Sequence, residues 1–311
     1  MKLISYKFKG KPGAFRIGCI VDNKVIDLQE SYRALLISKQ EKDAIHSIDN
    51  LLPADPSSFF SMGISVIERA KEACDYSLIH LNKGLMFDKD EVSLSTPIPA
   101  PSKIICVGKN YAEHAVEMES DVPEFPVLFA KFNNALIGPE DDIEKSTFTG
   151  KLDYEVELAV VIGKEATHVS KEKALNYIAG YTIGNDVTAR DLQKRTPQWL
   201  QGKTLDRSTP VGPSVVTTEE IPDPSNLSIH SFVNGEERQN SNTSQLIFDI
   251  PFLIEFISSL ITLKPGDIIL TGTPNGVGFA MNPPQFLQDG DVVTVEIEKL
   301  GRLENKVTER K

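Results

Sequence analysis

Leu152-Asp-Tyr-Glu-Val-Glu-Leu-Ala-Val-Val-Ile-Gly163 is the stretch on which the reading of this chain turns. A strand sends successive side chains to opposite faces, so Val156, Leu158, Val160 and Ile162 share one face while Glu155 and Glu157 share the other. Twice the strand rise puts the two acidic Cα atoms about 7 Å apart, and their oxygens can converge on one hard cation. The plainer alternative is a solvent face that happens to be acidic. Ala159 and Val161 continue that face as apolar residues, which covers the strand on both sides. Buried unpaired carboxylates are costly, and a divalent cation is the usual remedy. On the strand alone, metal site and acidic face stand level.

Three further segments carry chemistry. In Tyr181-Thr-Ile-Gly-Asn-Asp-Val-Thr-Ala-Arg-Asp191, Asp186 sits where a strand gives way to a helix. Taken by itself it reads as a helix N-cap. In Gly108-Lys-Asn-Tyr-Ala-Glu-His-Ala-Val-Glu-Met118, His114 and Glu117 are three apart on a short helix and share a face. A carboxylate beside an imidazole fixes its tautomer and raises its basicity, as a general base requires, although chance pairs of this kind are common on solvated helices. Leu270-Thr-Gly-Thr-Pro-Asn-Gly-Val-Gly278 is a glycine-rich loop after a strand. It matches neither the phosphate loop nor the dinucleotide fingerprint, yet its backbone N–H groups can cradle a carboxylate.

Around these motifs the chain is ordinary for a globular protein. Its 311 residues are 40% apolar and 25% charged, enough for one large domain plus a smaller one. A net charge of −11 argues against a nucleic-acid partner, which needs a basic face. No run of 18 apolar residues predicts membrane insertion, and the N-terminus has no signal-peptide core, so a cytoplasmic protein is expected. Cys19, Cys74 and Cys106 are too few and scattered for a disulfide framework and read as buried small hydrophobes.

Phe15, Ile17, Cys19 and Val21 alternate as a strand, Asp22-Asn23 turns, and Lys24–Asp27 returns. From Leu28 to His80 the spacing is helical, with Phe59, Phe60, Ile64, Ile67 and Ala70 on one predicted face. Pro97, Pro99 and Pro101 favour an extended connector, which places a boundary between a small N-terminal α+β domain, 1–96, and a second domain, 97–311. There, strands are predicted at 104–107, 127–131, 155–162, 178–184, 268–271 and 292–297. Helices are predicted at 112–119, after Ser170, at 188–195 and at 254–260. The class is α+β and β-dominated, without doubly wound alternation.

Ile105-Cys-Val-Gly-Lys-Asn-Tyr-Ala-Glu-His, the Asp153–Gly163 stretch, Gly180-Tyr-Thr-Ile-Gly-Asn-Asp-Val-Thr-Ala-Arg-Asp-Leu-Gln193 and Gly266-Asp-Ile-Ile-Leu-Thr-Gly-Thr-Pro, in this order, resemble the fumarylacetoacetate hydrolase family from about Pro99 onward. The resemblance implies a β-sandwich roll, a homodimer, and Mg²⁺ or Mn²⁺ held by Glu155, Glu157 and Asp186. It also implies a catalytic His114–Glu117 dyad on a segment that orders as a lid, with Arg190, Gln193, Lys203 and Thr273 at substrate-contacting positions. Tyrosine-catabolic members carry a fourth carboxylate ligand where this chain has Val107. The sequence therefore looks like the three-carboxylate branch of acylpyruvate hydrolases and oxaloacetate decarboxylases, and Gly202-Lys-Thr-Leu-Asp206 looks like its bacterial decarboxylating members.

Three carboxylates around a divalent cation leave a site near −1, which Lys203 and Arg190 would reverse for an acidic substrate. The expected reaction is metal-dependent C–C cleavage of a small 2-oxo acid, oxaloacetate decarboxylation first, with Lys203 stabilising developing charge. Acylpyruvate hydrolysis and enol–keto isomerisation need the same groups. A non-catalytic scaffold built on the N-terminal domain is the rival outside enzymology.

Overall fold

The computed structural model describes residues 1–80, 84–118 and 121–310. The Val156–Ile162 strand lies near the middle of a twelve-stranded sheet and is buried along its whole length. Its two faces enter different cores. Val156, Leu158, Val160 and Ile162 pack with Leu253, Ile254, Ile257, Val293 and Val295. Ala159 and Val161 pack with Leu3, Ile17, Phe59, Val66 and Ala70 from the first eighty residues. The face bearing Glu157 is thus roofed by the N-terminal segment, and burying those apolar residues stabilises it at about 25 cal/mol per Å².

Strand order across the sheet is Met86–Asp88, Lys24–Asp27, Arg16–Val21, Lys2–Phe8, Thr209–Thr217, Ile178–Asn185, Val156–Ile162, Ile268–Leu270, Ile104–Gly108 and Val127–Lys131. Lys2 pairs with Val216 and Leu3 with Val215, so this sheet runs from the N-terminal strands directly into those that follow the proline run. A five-stranded sheet, ordered Glu236–Asn242, Ser228–Val233, Val292–Ile297, Gly301–Glu309 and Ile143–Lys145, closes the other side. The architecture is the expected β-dominated α+β class. Among the described residues no helix is long and apolar enough to cross a membrane.

Several local expectations change. The helical stretch after Leu28 is five separate helices, the last two being Pro56–Ser61 and Ile64–His80. They break at Gly63, where φ is +73° and a Cβ would stand 2.4 Å from the Gly163 carbonyl oxygen. That break rotates the register: Val66, Ala70, Ala73 and Cys74 face the core, while Ile64 and Ile67 are only half-buried. The helix expected at 188–195 shrinks to Arg190–Gln193, because Thr188 and Ala189 pair as a short strand with Asp153 and Leu152. The segment after Ser170 is a 3₁₀ helix, Lys171–Tyr177. The helix at 112–119 is seen as Ala112–Glu117, and Glu119 lies outside the described residues. Cys19 and Cys74, 55 positions apart, meet with their Sγ atoms 3.2 Å apart.

Candidate active site and metal centre

Backbone pairing brings the three acidic residues together. Val156 pairs with Asn185, the N–H of Asp186 donates to the Glu155 carbonyl oxygen at 2.9 Å, and the Glu155 N–H donates to Asn185 Oδ1 at 3.0 Å. One carboxylate oxygen from each of Glu155, Glu157 and Asp186 lies within 4.8 Å of the others, and all three residues are buried. Asp186 is not a cap: the N-cap of the Arg190–Gln193 helix is Ala189, without a side-chain bond. Its carboxylate instead accepts from Lys131 Nζ and from Lys203 Nζ, at 2.6 Å each.

The cluster is cross-linked by cations. Lys203 Nζ also donates to Glu155 Oε2 at 2.6 Å. Arg190 Nη2 lies 2.6 Å from Glu155 Oε1, and its Nε donates to Asp153 Oδ2 at 2.8 Å. Burial pushes the Glu155 carboxyl up, but Arg190 and Lys203 beside it win and hold it well below the usual carboxylate range. Glu157 goes the other way. Burial, then Asp186 and Glu155, push it well above that range against the pull of Lys203 and the Gly272 N–H. A donor set of three buried carboxylates, one of them driven toward protonation by the other two, fits a divalent cation, which would remove that repulsion.

The glycine-rich loop cradles carboxylates, and they are the chain's own. Gly272 N–H donates to Glu157 Oε2 at 2.8 Å. Gly276 and Val277 N–H donate to Glu117 at 2.6 and 3.3 Å. Gly278 and Phe279 N–H donate to Asp153 at 2.8 and 2.9 Å. Glu117 is thereby aimed at His114, whose buried Nδ1 lies 3.6 Å from Glu117 Oε1. That gap exceeds a hydrogen bond, and Nδ1 has no hydrogen-bond partner among the described residues.

His114, Glu155, Glu157, Asp186, Arg190, Gln193, Lys203 and Thr273 all line one cavity with Val107, Phe129 and Trp199, and Glu117 stands behind His114. Gln193 Oε1 accepts from Arg190 Nη1 at 3.3 Å. The cavity encloses about 50 Å³, where each water needs at least about 10–15 Å³. Val107, an apolar residue near the end of the strand Ile104–Gly108, lines the cavity beside the acidic triad. A larger cavity of about 650 Å³ lies elsewhere, beside Val21, Ile67 and Cys74, and at its rim Lys71 pairs with Glu219.

Two residues escape sequence reasoning. Lys131 is fully buried under Asp186 and also donates to the Val187 carbonyl oxygen at 3.0 Å. Gln239, equally buried, accepts from Val156 N–H at 3.0 Å and donates to Thr273 Oγ1 and the Pro274 carbonyl oxygen, each at 2.8 Å. It ties the acidic strand to the glycine-rich loop. The hydrophobic pattern around neither residue announces a partner.

A profile of the fumarylacetoacetate (FAA) hydrolase C-terminal region matches residues 103–308. Oxaloacetate tautomerase YisK of Bacillus subtilis is 44% identical over 94% of this chain and 95% of its own length. The mitochondrial oxaloacetate tautomerase fahd2 of Xenopus laevis is 44% identical over 85% and 81% respectively. Among solved structures, maleylpyruvate hydrolase of Sphingobium sp. SYK-6, in complex with manganese(II) and pyruvate, superposes at a TM-score of 0.77 with 28% identity over the full length of both chains. With the strand pairing, the acidic triad and these matches together, the chain belongs to the fumarylacetoacetate hydrolase family of enzymes.

Proposed function

We propose that this enzyme interconverts the enol and keto forms of a small 2-oxo acid, oxaloacetate first, at a Mg²⁺ or Mn²⁺ centre held by Glu155, Glu157 and Asp186. The observation that carries the reading is the enclosure of His114, whose Nδ1 faces Glu117 and is unbonded among the described residues, in the same small cavity as the acidic triad. When bound, the cation supplies Lewis-acid polarisation of a carbonyl. His114 takes the proton from C3 or returns it, and Glu117, fixed by the Gly276 and Val277 amides, offsets the charge that the imidazole gains. Lys203 and Arg190 line the same cavity while paired with Glu155, Asp186 and Asp153, and their positive field would stabilise the negative charge that develops on the substrate. A four-carbon acid needs more space than the cavity of about 50 Å³ holds, so part of its lining has to give way as substrate enters.

Proton transfer needs one base and no leaving group, and the relatives named oxaloacetate tautomerase support placing it ahead of the decarboxylation expected from sequence. The two are separated by following the enol absorbance of oxaloacetate and CO₂ release in one reaction, with Mn²⁺ or with chelator. Tautomerisation predicts fast enol decay, little added CO₂, and loss of the effect in His114→Ala. Faster CO₂ release with no change in enol decay would overturn it. The proposal includes a homodimer in the cytoplasm, the first half of which light scattering checks.

A further inference from the structure

We propose that Lys109 recognises a second, distal carboxylate, so that the site selects dicarboxylic over monocarboxylic 2-oxo acids. The inference deepens the reading above and rests on it for the orientation of the substrate.

Charge around the cavity sets the problem. Lys131, Lys203 and Arg190 are already spent on the chain's own acids: Lys131 on Asp186, Lys203 on Glu155 and Asp186, Arg190 on Asp153 and Glu155. These three cations face four carboxylates once Glu157 is counted. A divalent cation turns the balance to a single positive charge, which the first carboxylate of a 2-oxo acid neutralises. A second carboxylate would then bring an uncompensated negative charge into a buried place, which is costly without a further cation.

Lys109 is that cation. It lines the same cavity, half-buried, and none of the ion pairs or hydrogen bonds among the described residues engages its ammonium. Its backbone sits at φ +57°, a left-handed conformation that residues other than Gly, Asn and Asp rarely adopt and that collects at ligand sites. The neighbouring Asn110 holds it there. Its side chain donates to the Thr271 and Phe248 carbonyl oxygens at 2.8 and 3.0 Å and accepts from the Phe248 N–H at 2.7 Å. A long cationic side chain thus rises from a fixed, strained base beside the cavity, with no internal partner to satisfy.

Unreactive analogues test this by calorimetry on the Mn²⁺-loaded protein. Malate and lactate present the same 2-hydroxy carboxylate, and only malate carries a second carboxylate. Charged hydrogen bonds of this kind are worth roughly tenfold to hundredfold in affinity, so wild-type protein should prefer malate by that factor. Lys109→Met should erase the preference by weakening malate, with lactate changed by less than about twofold. Lys109→Asn, which suits the left-handed backbone, should do the same with no loss of melting temperature, and Lys109→Arg should retain the preference. Equal weakening of both ligands, no weakening of either, or a wild-type protein that does not bind malate would each overturn the inference. If oxaloacetate is not turned over but the malate preference still follows Lys109, the tautomerase reading fails and this one stands. If oxaloacetate is turned over with the same KM in Lys109→Met, the reverse holds.

Discussion

Glu117 accepts the backbone N–H of Gly276 at 2.6 Å, so the acid that faces His114 is positioned by a loop 159 residues away rather than by its own short helix. Two consequences are separable. Glu117→Gln keeps the shape of the contact but sets an amide N–H against one of two backbone donors and removes the charge facing the imidazole. We expect kcat to fall about a hundredfold, with KM nearly unchanged and a stability loss of about 1 kcal/mol from the opposed donors. Gly276→Ala attacks the loop: φ is +99° and a Cβ would stand 2.1 Å from the Arg238 carbonyl oxygen. It should cost more than about 1 kcal/mol of stability as well as activity, which thermal melts and steady-state kinetics resolve.

Metal should exchange places with a proton at the acidic triad. Glu157 has a folded pKa raised above its unfolded value, so at this residue the folded metal-free chain keeps a proton that the unfolded one has lost. Its contribution is therefore fully present below the ordinary carboxylate pKa and is lost as pH rises through the folded value. Melting temperature of the chelated protein should fall over that window, and Mn²⁺ should restore it, by about 2.7 kcal/mol at a hundredfold excess over Kd. Glu157→Gln should flatten the fall, leave the chelated protein at least as stable as wild type, and abolish the response to Mn²⁺. A Mn²⁺ shift that survives this substitution would move the metal elsewhere.

Lys131 and Asp186 are both fully buried, their charges 2.6 Å apart. Removing one member of such a pair leaves the other unpaired and typically costs about 3–5 kcal/mol. Lys131→Met should fall short of that loss in chelator, because Lys203 still pairs with the other Asp186 oxygen, and lose less again in Mn²⁺, because the cation takes over part of the compensation for Asp186. Denaturant titrations with and without metal measure the difference. An identical loss in both conditions would mean that Lys131 supports the fold alone.

The parts of this site that could be read from the chain are those set by local period. Glu155 and Glu157 share a face because strand side chains alternate, and the apolar Ala159 and Val161 beyond them already indicated a covered strand. His114 and Glu117 share a helix face for the analogous reason, although what holds Glu117 is remote. Asp186 in isolation reads as a cap because its partners come from elsewhere in the chain, Lys131 from the strand Val127–Lys131 and Lys203 from the short helix Leu200–Lys203, and a lone Asp before a helix looks the same whether or not it caps. Lys131 ends an apolar strand at the edge of the sheet, where a lysine usually reaches solvent, and nothing local tells that Asp186 and the Val187 carbonyl oxygen lie within its reach. Gly63 lies within a helical pattern, but its positive φ splits the helix, so Ala70 is buried as the spacing predicts while Val66 takes the place expected of Ile64 and Ile67.

Gln239 offers the sharpest test of how the acidic strand is held to the loop. Its Oε1 accepts from Val156 N–H and from Ser231 Oγ, and its Nε2 donates to Thr273 and Pro274, all within 3.0 Å. Because both Nε2 protons are used, Thr273 Oγ1 is bound as an acceptor and its own proton is free to turn toward the cavity. Gln239→Leu strands four buried polar groups at about 1–3 kcal/mol each before relaxation, and we expect a net loss of at least about 3 kcal/mol. Ser231→Ala removes one donor from an oxygen that keeps Val156, and should cost about 1 kcal/mol. Urea midpoints rank the two. If Gln239→Leu proves no worse than Ser231→Ala, the strand and loop are held by packing alone, and Thr273 needs no fixed orientation to serve the site.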